Sequence, residues 1–303
     1  MPSPQSRLVG DLFTRLNKHL GQKELDVDLY RIIQEEHASI ATEPPDVTYS
    51  EVQCPGTVRP AIWCSPHSAS PQHVILYLHG GGFISGSPSS HRKLAAHLAK
   101  RAGCLALVLD YRRAPDNAFP TQIDDVVAAY KWLRDERGFA AQRIAFAGDS
   151  AGGNLTVSAS LALRELGGDG PAAVAAFSPW FDMRLTGESW KRNASTDLLV
   201  VPEAMTGVIA GYIGQHSLDT PGLDLLRTDL TRFPPMYLAS GKAEVLEDDA
   251  VLLAENARRC GVEVELEQAD GMQHIWVLMA GNAPEADSTL EQAARFIRSK
   301  MMS

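Results

Sequence analysis

The segment Gly148-Asp149-Ser150-Ala151-Gly152 sets a serine between glycines where the residue pattern changes period. Residues 143–147 before it read as a strand, and residues 151–166 after it read as a helix stopped by Gly167 and Gly168. A strand that passes straight into a helix needs a sheet to receive the first and a helical layer to receive the second. The glycines suit such a turn, because a Cβ on either flank would meet neighbouring chain. The turn lifts the Ser150 hydroxyl to the sheet edge, beside the positive end of a helix dipole. The plainer alternative is a serine that N-caps a helix after a glycine turn.

The rest of the chain repeats the alternation. Strand patterns cover 47–52, 59–64, 73–78, 104–109, 172–177, 236–240 and 262–267, and helical patterns cover 89–101, 120–137, 247–259 and 285–301. Residues 73–78 (HVILYL) are continuously apolar, as in a strand buried on both faces. Repeated β–α units with short connections predict an α/β class, with a mostly parallel sheet and helices on both faces. Two stretches depart from the rhythm. Residues 1–45 read as helical, with Leu8, Leu12, Leu16 and Leu20 forming a stripe beside Val9 and Phe13, a second helix at about 26–39, and Pro44-Pro45 at the end. Residues 182–233 contain no good strand and show helical signals around 202–212. The expected division is therefore 1–45 as the N-terminal part of a cap, 46–181 with 234–303 as the α/β domain, and 182–233 as an inserted cap segment.

At 303 residues, 45% hydrophobic and 21% charged, the chain has enough apolar material for one large core. Its net charge of −9 argues against nucleic-acid or anionic-membrane partners. Cys54, Cys64, Cys104 and Cys260 show no paired C-x-x-C spacing and read as reduced thiols, with a Cys54–Cys64 bridge as the less favoured alternative. The first residues carry no apolar signal region, and no apolar run reaches the roughly 20 residues of a membrane span. The expectation is a cytoplasmic protein.

Three further features carry chemistry. His79-Gly80-Gly81-Gly82-Phe83 follows a buried strand, and successive glycines are costly in backbone entropy unless their bare N–H groups are needed. Donors to an oxyanion are assigned to the N–H groups of Gly81, Gly82 and Ala151; His79 reads as an orienting residue. Phosphate binding by these glycines fits poorly, since no Lys-Ser/Thr follows. Of nine histidines, His274 alone lies in a loop between the last strand and the last helix, at the sheet edge that holds Ser150. His19 and His37 fall in the cap region, His91 and His97 on what reads as a surface helix, His67 and His73 in or beside a turn, and His216 in the inserted segment. A carboxylate to orient His274 should follow the preceding strand, and Glu244 stands there. Asp248 and Asp249 lie one turn into the next helix, where they suit its dipole. A nucleophile, acid and base in the chain order Ser150, Glu244, His274 is the order of the α/β-hydrolase fold and points to acyl transfer.

These motifs, with Asp110-Tyr111-Arg112-Arg113-Ala114-Pro115, Phe119-Pro120, Ser178-Pro179-Trp180 and Gly271-Met272-Gln273-His274, make residues 45–303 resemble the bacterial hormone-sensitive-lipase-like (family IV) esterases. The resemblance implies an α/β-hydrolase fold with an eight-stranded, mostly parallel sheet, a helical cap, and hydrolysis of short- to medium-chain acyl esters without cofactor or metal. It also implies a homodimer joined through the last strand and adjacent helices. Most members carry Asp in an Asp-Pro-Leu-x-Asp segment; here Glu244-Val245-Leu246-Glu247-Asp248 replaces it, as in a Glu-bearing subgroup. Phe83, Trp180, Trp190, Met205, Ile209, Tyr212 and Ile275 are candidates to line an apolar pocket. Alternatives that stay open are a lactone hydrolase, a deacetylase of a small secondary metabolite, an amidase or deformylase, and a ligand-binding receptor without turnover.

Overall fold

A computed structural model describes residues 2–20, 26–57, 59–200 and 202–302. Eight strands form one sheet in the order β1-β2-β4-β3-β5-β6-β7-β8. They are β1 (Val47–Val52), β2 (Ala61–Pro66), β3 (Ser70–Leu78), β4 (Cys104–Leu109), β5 (Ile144–Asp149), β6 (Ala173–Phe177), β7 (Met236–Gly241) and β8 (Val264–Ala269). The first two strands pair antiparallel, and β2 is antiparallel to β4; every later pairing is parallel. In the middle of the sheet β5, β6 and β7 are buried along their whole length and β3 from His73 onward, which matches their apolar and alanine-rich sequences.

Helices α1 (Pro4–Leu20), α3 (Pro88–Ala102) and α9 (Pro284–Met301) pack on one face. Helices α4 (Thr121–Asp135), α5 (Ala151–Glu165) and α8 (Glu247–Arg259) pack on the other. Helix α2 (Val27–Glu35) continues into a 3-10 turn, Glu36–Ser39. Between β6 and β7 the chain forms α6 (Ser189–Arg192), α7 (Pro202–Ile213) and a turn at Leu225–Arg227, with a bridge from Asp182 to Asp224 across its base. Local signals explain several boundaries. Ser87 and Ser90 form a reciprocal capping box at the start of α3, with Pro88 at the first helical position, and Gly103 closes that helix at φ 70°.

Several expectations need correction. In α1, Leu8 is 61% exposed, while Ser6, Val9, Gly10 and Phe13 are buried. The covered face follows i, i+3, i+4, i+7 spacing, whereas an every-fourth-residue stripe rotates away from a helix face by about 40° per step. The side chains of Leu16, His19 and Leu20 and all of residues 21–25 lie outside the described residues. His91 and His97 do not lie on a surface: they are 1% and 7% exposed, because α3 is packed against β2 and β4, the turn at 36–39 and α9. Cys54, Cys64 and Cys104 are buried free thiols, and Cys54 and Cys64 belong to clusters on opposite faces of the sheet. Burial pushes the Cys54 thiol up to about 12. Among the described residues, no helix is long and apolar enough to cross a membrane.

Candidate active site

The loops that leave β3, β5, β7 and β8 all emerge at the carboxyl ends of parallel strands, so they share one edge of the sheet. Strand β5 runs to Asp149, two residues beyond its expected end, and Ser150 follows at φ 52° and ψ −120°. A non-glycine residue rarely adopts this backbone, and the surrounding packing must hold it there. The packing is tight: a Cβ on Gly152 would come within 1.9 Å of the Leu78 carbonyl oxygen, and one on Gly148 within 2.6 Å of the same atom. The Ser150 N–H donates to the Phe177 carbonyl at 2.9 Å, and the Trp180 N–H donates to the Ser150 carbonyl at 3.2 Å. These bonds fix the turn between the ends of β5 and β6.

His274 lies 124 residues away in sequence, yet its Nε2 is 3.0 Å from Ser150 Oγ. Its Nδ1 is 2.5 Å from Glu244 Oε2, and Glu244 Oε1 accepts the Gly241 N–H at 2.6 Å. Glu244 is fully buried and His274 is 3% exposed. Burial disfavours the imidazolium, but the Glu244 carboxylate outweighs it, so His274 is held above the ordinary value of 6.5. Burial likewise pushes the Glu244 carboxyl up, against the opposing pull of His274 and the Gly241 N–H. The adjacent acids are engaged elsewhere. Asp248 accepts the Ser189 N–H at 2.8 Å and pairs with Arg192. Asp249 does more than face its helix dipole: its Oδ2 accepts the N–H groups of Phe181 and Asp182 at 2.6 and 2.7 Å, and burial raises its carboxyl to about 8.

The glycine loop bends over the same edge. Gly81 has φ 116°, and a Cβ there would meet the Ser85 backbone at 2.6 Å, so only glycine fits. Its carbonyl accepts the N–H groups of Ile84 and Ser85, which turns the loop back on itself. Gly81, Gly82 and Ser150 face one cavity. Ala151 begins α5, where first-turn N–H groups have no partner inside the helix. His79 is fully buried, stacks on Tyr111 at 4.2 Å, and sits 2.8 Å from the Gly80 carbonyl through Nδ1. Burial holds its imidazole well below the ordinary range, so it stays neutral.

Of the candidate pocket residues, Trp180, Met205 and Ile275 line this cavity. Phe83, Ile209 and Tyr212 do not; Phe83 and Tyr212 stack on each other at 3.7 Å behind the wall. Trp190 also lies away from it. The remaining wall was not foreseen. Leu199, Val200, Ala204, Val208 and Leu246 add apolar surface, and Tyr30, Gln34, His37 and His91 add polar groups. A clamp was missed as well. Asp197 accepts the N–H groups of Leu199 and Val200 through Oδ1 and that of Val245 through Oδ2. Asn193 donates to the Glu244 carbonyl, while Gln273 accepts the Leu198 N–H and donates to the Thr196 carbonyl. Segment 193–200 thus ties together the turns that carry Glu244 and His274. The partners that bridge to these turns are 48 to 77 residues apart, and only Gln273, beside His274, carries any local hint.

Comparison with known proteins gives a consistent result. A family model described as alpha/beta hydrolase fold matches residues 75–278. An acetyl-hydrolase from Streptomyces hygroscopicus is 35% identical over 304 residues, covering 98% of this chain and 97% of its own length. An esterase from Acinetobacter venetianus is 32% identical over 232 residues, 76% of each chain. Among solved structures, an esterase of the bacterial hormone-sensitive lipase family superposes with a TM-score of 0.93 at 36% identity, covering 99% of both chains. EstE5, whose crystal was soaked with p-nitrophenyl butyrate, superposes with a TM-score of 0.91 at 30% identity, covering 99% of this chain and 100% of its own.

Proposed function

Because the chain belongs to the α/β-hydrolase fold family, among the hormone-sensitive-lipase-like esterases, and is a carboxylic ester hydrolase, we propose that Ser150, His274 and Glu244 carry its chemistry. His274 Nε2 takes the Ser150 proton as Oγ attacks the ester carbonyl. The oxyanion of the tetrahedral intermediate is received by the N–H groups of Gly81, Gly82 and Ala151, each such donor contributing on the order of 3 kcal/mol. Collapse breaks the bond to the alcohol oxygen, which takes the proton from His274. Water then repeats the sequence on the acyl-enzyme, giving the acid and free Ser150. Glu244 holds the imidazole tautomer and stabilises the imidazolium without itself taking the proton. The observation that carries this reading is the unbroken contact from Glu244 through His274 to Ser150 Oγ, 2.5 and 3.0 Å, at the wall of a cavity.

Residues 1–45 and 182–233 serve as the cap, which supplies Tyr30, Gln34 and His37 from the first segment and Leu199, Val200, Ala204, Met205 and Val208 from the second. The cavity measures about 60 Å³. That is smaller than the roughly 150 Å³ that accepts a benzene ring, so the preferred acyl groups are short. The same size, with an acetyl-hydrolase among the relatives, favours deacetylation of a small metabolite as a second reading. The outer edge of β8 supports a homodimer through that strand and nearby helices, and buried free thiols accord with a cytoplasmic setting.

The test is hydrolysis of p-nitrophenyl esters of rising chain length by the protein and by Ser150→Ala. Acetate and butyrate should be turned over at least tenfold faster than dodecanoate, and Ser150→Ala should be folded and inert on all of them. A Ser150→Ala protein that keeps its activity would remove the serine from its role.

A further inference from the structure

Of the motif Ser178-Pro179-Trp180, only Trp180 lines the cavity. Ser178 directly follows β6, is fully buried and has φ 45°, a left-handed backbone that a non-glycine residue keeps only where its surroundings hold it. Its hydroxyl oxygen accepts the Ile275 N–H at 2.9 Å. Ile275 is the residue after His274 and is left-handed as well, at φ 50°. One side-chain bond thus joins two strained residues 97 positions apart, at the edge where Ser150 has φ 52°.

The segment that carries Ser178 is fixed to the turn of the nucleophile. The Phe177 carbonyl accepts the Ser150 N–H, and the Trp180 N–H donates to the Ser150 carbonyl. The Ser178 N–H donates to the Ala239 carbonyl of β7 at 2.7 Å, and Asn154 of α5 donates to the Trp180 carbonyl at 2.9 Å. Pro179 packs on α5 so closely that a Cβ on Gly153 would come within 3.0 Å of its Cβ. Residues 177–180 therefore keep their place relative to Ser150, and from there the Ser178 hydroxyl reaches the backbone beside His274. Gln273, on the other flank of the base, ties the same loop to residues 196 and 198 instead. We propose that Ser178 is a positioning residue that sets the reach of His274 to Ser150. Its hydroxyl, anchored to the turn of the nucleophile, holds the backbone beside the base and with it the 3.0 Å approach of Nε2 to Oγ. The inference rests on His274 being the base for Ser150. Ser178 does not line the cavity and makes no hydrogen bond to the imidazole, so its loss should slow proton transfer and leave substrate affinity and the titration of His274 in place.

The test compares Ser178→Ala, Ser178→Gly and Ser178→Cys with the native protein on p-nitrophenyl acetate. Ser178→Ala should lower kcat about tenfold or more, since a small misplacement of a reacting group is costly, while KM stays within about threefold. The acid limb of its pH profile should lie where the native protein has it. Phosphonylation of Ser150, which needs the same proton transfer, should slow by a similar factor. Ser178→Gly also lacks the hydroxyl but relaxes the left-handed backbone, so it should melt at a higher temperature than Ser178→Ala and still lose as much kcat. Ser178→Cys keeps a weaker acceptor of nearly the same shape and should fall between Ser178→Ala and the native protein. If Ser178→Ala does not fold, Ser178→Gly takes its place in the comparison. A kcat within about twofold of native in the hydroxyl-free variants, a loss confined to KM, or activity that follows melting temperature instead of the hydroxyl overturns the proposal and leaves the triad reading intact. A native protein that forms no adduct at Ser150, or a Ser150→Ala protein that keeps its activity, overturns the triad reading instead.

Discussion

The carboxyl edge of the sheet around Ser150 and the cavity wall around His37 are built on opposite principles. At the sheet edge, the strained backbone of Ser150, the close approach of Gly152 to Leu78, and the contacts of His274 and Glu244 leave each group one workable position. At the wall, side chains from α2, the turn at 36–39 and α7 reach the cavity from separate parts of the chain, and His37 is left without partners of its own. The first arrangement suits the making and breaking of one kind of bond. The second suits discrimination among molecules that contain that bond. Substitutions at the edge should therefore lower kcat on every substrate, while substitutions at the wall should redistribute preference.

The sharpest test of this contrast is Glu244→Gln. It should lower kcat by on the order of 10³-fold on all esters, whereas Asp248→Ala should cost less than tenfold, because Asp248 holds Ser189 and Arg192 and does not touch His274. Steady-state kinetics on one short ester distinguishes them, and a larger loss at Asp248 would reassign the acid. The same variant carries a pH signature. Activity requires neutral His274, whose pKa is raised above 6.5 by Glu244, so the acid limb of the native profile should lie above pH 6.5. In Glu244→Gln burial is opposed by Asp197 and Asp149 alone, and the limb should move to lower pH. Next in size, Gly152→Ala should destabilise the fold by about 3 kcal/mol or more, since a methyl group 1.9 Å from a backbone oxygen cannot be accommodated without shifting β3 or α5. Denaturant unfolding measures it; a loss under 1 kcal/mol would mean the turn is not sterically locked. Asp197→Ala should cost about tenfold in kcat, because the turn carrying Glu244 loses its tie at Val245. The smallest effect belongs to the apolar wall. Val208→Phe narrows the cavity and should shift preference from butyrate toward acetate by a few-fold, with kcat on acetate little changed.

The same contrast explains what the amino-acid sequence disclosed. The turn at Ser150 was legible because its requirement is local: two glycines are needed within a few residues of each other and leave a mark there. The contact of Glu244 with His274 could be anticipated because both lie at strand ends, where topology decides which loops meet. The strand pattern before Ser150 stops two residues short because Gly148 and Asp149 carry no strand propensity; the sheet imposes that conformation through the pairings of Gly148 and Asp149 with Leu78 and Phe177. The walls were less legible. Phe83 and Tyr212 read equally well as lining or as support, and the choice depends on where α7 lies. A helix pattern alone puts His91 on a surface, because it does not reveal that α3 is covered by chain from residues 36–39 and from α9. The clamp through Asn193, Asp197 and Gln273 left almost no mark, since a single polar side chain that bonds to distant backbone carries no periodicity.

The most direct test of the account is the rate at which an organophosphonate forms a covalent adduct, followed across pH with the modified peptide mapped by mass spectrometry. The account predicts one adduct, at Ser150, forming at a rate that rises through a single titration above pH 6.5 as His274 loses its proton. An adduct on another residue, or a Ser150 labelling rate that does not change with pH, would contradict it.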